Sequence, residues 1–140
     1  MAVAPLPVSE RRTRRSKQTL TALTFQLEHI LINEDLRNIV LGDSSGQTIA
    51  GAGDHFESEV LAAYAPMLSK SVNQRFRQQI FARMEPLMPG TTLENIYVRQ
   101  FDIDGETLFL TLSADPGVYR DVGLYRAITG IRRILDQAPA

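Results

Sequence analysis

The 140-residue sequence has no cysteine and only two histidines, His29 and His55. Without thiolates it cannot build a disulfide, a zinc ribbon or an iron–sulfur cluster. Missing cysteine also fits the cytoplasm. No uninterrupted apolar run approaches the ~18–20 residues of a membrane span. The opening stretch MAVAPLPVSERRTRRSKQ lacks the basic-then-apolar order of a secretory signal. A cytoplasmic location is therefore expected.

Net charge is nearly absent too, at −1. That balance hides two opposed parts. Residues 1–17 carry Arg11, Arg12, Arg14, Arg15 and Lys17 against Glu10, a net of +4. Residues 18–140 hold 10 basic and 15 acidic groups, a net of −5. The first part, with Pro5 and Pro7 and self-repelling arginines, reads as a disordered basic tail. Its charge suits an acidic partner or an anionic membrane surface, or it is simply a solvated tail. The acidic remainder is a poor nucleic-acid surface, so no specific nucleic acid is expected. With 44% hydrophobic residues, 18–140 reads as one domain with its own core.

Hydrophobic spacing places the elements. Leu20, Leu23, Leu27, Ile30 and Leu31 form one helical stripe, closed by Asn33, Glu34 and Asp35. A hairpin follows, with strands near 36–41 and 47–52 around Gly42-Asp43-Ser44-Ser45-Gly46. Asp54 reads as a helix N-cap, and Glu57 as the return partner of a capping box. Leu61, Tyr64, Leu68, Val72, Phe76 and Ile80 then keep one phase past Pro66. That predicts a single long helix over 57–84, kinked at Pro66 and ~42 Å in length. Pro86, Pro89 and Gly90 end it.

The second hairpin spans 95–103 and 107–113, joined by Asp104-Gly105, a pair suited to a type I′ turn. Asp115-Pro116-Gly117 is a further turn. Leu124, Ile128, Ile131 and Leu135 stripe the final helix, with Arg126 and Arg133 on its outer face. Gly130 within that helix points to close packing. The order predicts an α+β domain with an antiparallel sheet flanked by helices.

Three catalytic look-alikes fail on context. Gly42-Asp43-Ser44-Ser45-Gly46 matches G-x-S-x-G, yet it joins two strands and only His55 follows it. Gly51-Ala52-Gly53 precedes a helix as a phosphate loop would, but the third glycine is replaced by Phe56 and no lysine follows. Phe101-Asp102-Ile103-Asp104-Gly105-Glu106-Thr107-Leu108 resembles a D-x-D-G-T phosphatase motif interrupted by Glu106, and reads better as a hairpin turn. His29 and His55 have no metal-ligand spacing. No catalytic residue, metal ligand or cofactor is identified, and an enzyme is not expected.

The stretch from Ile39 to Leu135 resembles the Roadblock family, the dynein-light-chain-type regulators of small GTPases. The likeness lies in Asn38-Ile39-Val40-Leu41-Gly42-Asp43-Ser44-Ser45-Gly46 with Thr48-Ile49-Ala50 behind it. It continues in the helix around 61–68, in Gly105-Glu106-Thr107-Leu108-Phe109-Leu110-Thr111-Leu112-Ser113-Ala114-Asp115, and in Asp121-Val122-Gly123-Leu124. The resemblance implies a profilin-like antiparallel sheet with one long central helix on one face and the terminal helices on the other. It also implies a homo- or heterodimer that receives a Ras-like small GTPase or a second Roadblock-like protein. The family has five strands, whereas four are legible here, because Pro86, Pro89 and Gly90 interrupt the stretch where the middle strand would fall.

The long helix is thus the expected association surface. Tyr64, Met67, Phe76, Phe81 and Met84 are its candidate partner-binding residues, of types enriched at interfaces. Phe81 and Met84 are expected to lie beyond the span of a small sheet. The alternative for Tyr64 and Phe76 is a place in the protein's own core. A second reading is a small-molecule sensor of PAS or GAF type, with a cavity between sheet and helices.

Overall fold

The computed structural model describes residues 16–71, 73–89, 96–115 and 121–137. Arg11, Arg12, Arg14 and Arg15 lie outside them, as do Val72, Pro116 and Gly117. Lys17, expected in the tail, is instead the first residue of helix α1 (Lys17–Asn33). Ser16 caps that helix, its hydroxyl accepting the Thr19 N–H at 3.1 Å.

Strands β1 (Asn38–Asp43) and β2 (Thr48–Gly53) form the first hairpin. Its turn is held by Asp43, whose Oδ1 accepts from the Ser45 N–H at 2.9 Å, the Ser45 hydroxyl at 2.6 Å and the Gln47 N–H at 3.1 Å. Helices α2 (His55–Lys70) and α3 (Gln74–Met84) follow. Strands β3 (Ile96–Ile103) and β4 (Glu106–Ser113) make the second hairpin. Asp104 and Gly105 both take positive φ, 49° and 77°, as a type I′ turn requires. Helix α4 (Asp121–Gln137) ends the described chain.

The fold class is the expected one: an antiparallel sheet with helices on both faces, α+β and profilin-like. Among the described residues the sheet has four strands in the order β2-β1-β4-β3. The central strands β1 and β4 pair from Asn38↔Ser113 to Asp43↔Leu108. On one face, α1 and α4 cover Ile39, Leu41, Leu108, Leu110 and Leu112 with Leu23, Leu27, Ile30, Leu124 and Ile131. Three of the five predicted α1 stripe positions, Leu23, Leu27 and Ile30, are buried there, and the other two, Leu20 and Leu31, pack partly buried against them. Gly130 lies where a Cβ would collide with the Gln26 side chain, so α1 and α4 approach closely there, as expected.

On the other face α2 and α3 cover Val40, Ile96 and Val98 with Val60, Leu61, Leu68, Ile80, Phe81, Met84 and Met88. Here the structure corrects the sequence reading. The predicted helix over 57–84 is two helices: α2 ends at Lys70 and α3 begins at Gln74. Ser71 ends α2 by donating its hydroxyl to the Leu68 carbonyl at 2.6 Å. Asn73 caps α3, accepting the Phe76 N–H at 2.8 Å. Pro66 sits inside α2, and the chain breaks five residues later. The apolar spacing bridges the break because it happens to stay in phase.

Candidate partner-binding surface

The start of α2 is fixed by polar contacts at one end of the sheet. Asp54 caps it, accepting the Glu57 N–H at 2.9 Å. The reciprocal half of the expected capping box is absent. The Glu57 carboxylate turns instead to Arg37, at 2.9 and 3.3 Å, and to the Asn38 amide at 3.1 Å. Asn38 takes over the missing role, its Oδ1 accepting the Asp54 N–H at 2.9 Å. The same side chain donates to the Ser113 hydroxyl at 3.1 Å and is fully buried.

This arrangement also accounts for the phosphate-loop look-alike. Gly53 has φ 99°, and a Cβ there would meet the Arg37 carbonyl at 2.5 Å and Asn38 Oδ1 at 2.6 Å. The glycine serves the strand exit. The helix N-terminus behind it is occupied by two carboxylates, which repel an anion.

The remaining look-alikes resolve similarly. Ser44 is exposed in the hairpin turn. His55 pairs with Glu59 at 3.0 Å on the outside of α2, and His29 bonds Asn33 at 2.8 Å on α1. Asp102 accepts from the Thr107 hydroxyl at 2.8 Å across the second hairpin. Among the described residues, no group of three or more His, Asp or Glu side chains could hold a metal.

The five candidate interface residues do not form one patch. Phe81 and Met84 are 8% and 0% exposed and belong to the core beneath α3. The expectation that they overhang the sheet is corrected: as a separate helix, α3 lays its apolar side into the same core as Ile96 and Val98. Tyr64 is half-buried against that core. Met67 and Phe76 are exposed, at 38% and 40%. Phe56, at 54%, is an exposed aromatic that the stripe reasoning passed over. It precedes Met67 by eleven residues, three helical turns, so both sit on one outer ridge of α2. That spacing was the available signal.

A surface groove of about 270 Å³ lies along α1, lined by Leu20, Thr21, Thr24, Phe25 and Glu28. It is on the outer side of the helix, whereas a PAS- or GAF-type ligand would sit between helix and sheet. Between helices and sheet lie the two side-chain clusters. Among the described residues no helix is long and apolar enough to cross a membrane.

No protein-family model matches the sequence. No curated protein matches it significantly either. Among solved structures the chain is similar to Myxococcus xanthus MglB, with a TM-score of 0.53 and 13% identity. The likeness covers 86% of this chain and 92% of that one. At this identity what the two share is the fold, a helix-flanked antiparallel sheet that extends over nearly the whole of both molecules.

Proposed function

We propose that the protein is a non-enzymatic regulator or scaffold of the Roadblock type. It pairs with a second Roadblock-like chain, in a homo- or heterodimer, and the pair binds a Ras-like small GTPase. The observation that carries this reading is the shared fold with MglB over most of both chains. It stands beside the sequence likeness to the Roadblock family in the β1–β2 hairpin, β4 and the start of α4. The pairing surface is the outer ridge of α2, where Phe56 and Met67 are exposed. Large apolar side chains held on a rigid helix are suited to anchor an interface.

Light scattering on the purified chain at micromolar concentration tests the pairing. A dimer that Met67→Asp converts to monomer, with the circular dichroism spectrum unchanged, is the expected result. A strict monomer sinks the homodimer. GTPase binding is read by titrating the chain with small GTPases of the same cell in their GTP- and GDP-bound forms. No binding in either form removes the regulatory reading.

A further inference from the structure

Charge is segregated within the domain. Residues 70–84 contain Lys70, Arg75, Arg77 and Arg83 and no acidic residue. The rest of 18–140 holds six cations and fifteen acids. The basic segment is the end of α2 and the whole of α3. Lys70, Arg75 and Arg83 are exposed and Arg77 is half-buried. Among the described residues none of the four forms an ion pair. The Arg77 Nε is buried without a hydrogen-bond partner.

On an ideal helix Arg75, Phe76, Gln79 and Arg83 fall within one ~100° sector. Ile80, Phe81 and Met84 point to the other side, into the core. The outward sector of α3 therefore presents two guanidinium groups and an aromatic ring that is 40% exposed.

We infer that the outward face of α3 is a docking surface for an acidic segment of a partner protein. This rests on the protein-binding reading above and names the chemistry of the partner. Guanidinium groups pair with carboxylates bidentately, and an exposed ring beside them offers an apolar anchor. A membrane is a poorer occupant. Insertion needs a free apolar helix face, and that of α3 is already spent on its own core. A nucleic acid is poorer still, since the surrounding domain is acidic and repels phosphates. A second α3 is excluded by like charge, because a two-fold axis through this face would set arginine against arginine. The surface that meets α3 is thus different from α3 itself.

The test uses the full chain with Arg11, Arg12, Arg14 and Arg15 changed to Gln, which silences the basic tail. The probe is a fluorescein-labelled glutamate–leucine amphipathic peptide, read by anisotropy. Arg75→Glu with Arg83→Glu should weaken binding by about tenfold or more. Arg126→Glu with Arg133→Glu, an equal charge change at exposed sites on the other helical layer, should leave it unchanged. Phe76→Ala should weaken it in its own right.

An equal loss in both double variants, or none in the α3 variant, overturns the inference. So does tighter, α3-dependent binding to phosphatidylserine vesicles or to a single-stranded oligonucleotide. Light scattering on the α3 variant separates this from the pairing. A variant that keeps the wild-type oligomeric state and loses the peptide supports the inference. A monomeric wild type that still binds the peptide through α3 defeats the dimer alone.

Discussion

Against one face of the sheet α1 and α4 lay large aliphatic side chains, Leu23, Leu27 and Ile131 among them, onto Leu108, Leu110 and Leu112. Against the other, α2 brings Ala62 to Gly42, where an added Cβ would sit 3.2 Å from the Ala62 Cβ. That second face is then tied at one end by the polar group of Arg37, Asn38, Glu57 and Ser113. The first layer is held by volume; the second adds close approach to the backbone and directional hydrogen bonds to the burial of Leu61, Leu68, Phe81 and Met84. A layer held by volume can shift a little and re-pack. A layer held at near-contact with backbone, and pinned by directional bonds, presents its outer side in one place. The second layer carries the candidate partner surface, and a rigid element is the better platform for one.

Three substitutions break or sharpen this contrast. The largest effect is expected from removing volume on the first face. Leu110→Ala should lower unfolding free energy by about 2–5 kcal/mol, read from urea denaturation. Next is adding volume on the second face. Gly42→Val should cost about 1–3 kcal/mol, because both the Ala62 Cβ and the Gln47 carbonyl lie 3.2 Å from the new carbon. If Gly42→Val proves neutral, closeness does not distinguish the layers. The smallest effect is expected at the exposed end of the polar group. Arg37 is 50% exposed, so Arg37→Ala should cost less than about 1 kcal/mol in the same assay. A larger loss would mean that the ion pair, and not the buried amide beside it, secures α2.

Much of the first layer was legible in the sequence. The stripes of α1 and α4, the two hairpin turns and the close approach at Gly130 all follow from local spacing and turn chemistry. The second layer was less so, for physical reasons. Glu57 has two readings as a side chain: a local one toward the helix end, and a distant one toward Arg37 and Asn38. The distant partners are nineteen and twenty residues away, and no window shows them. The break between α2 and α3 hides for another reason. Val72 and Phe76 keep the phase of Leu68, so periodicity runs on while Asn73 caps a new helix. With α3 a separate helix, Phe81 and Met84 are buried in the same cluster as Leu61, Leu68 and Ile96. Phe56 was readable in principle, but only by asking which apolar residue falls off the stripe.

The buried amide of Asn38 has a consequence for how the chain avoids wrong pairings. Asn38 stands opposite Gly53 on one side and Ser113 on the other. A slip of β1 by one residue would turn this amide to the aliphatic face and put an isoleucine among Glu57, Ser113 and the Asp54 N–H. Every polar group there would lose its partner at once, inside the protein. β1 is buried along its whole length and is apolar on both faces at Ile39, Val40 and Leu41. Its hydrophobic pattern alone therefore discriminates poorly between registers. One asparagine at the start of the strand acts as the proofreading position, accepting only the alignment in which two neighbouring strands and a helix arrive together.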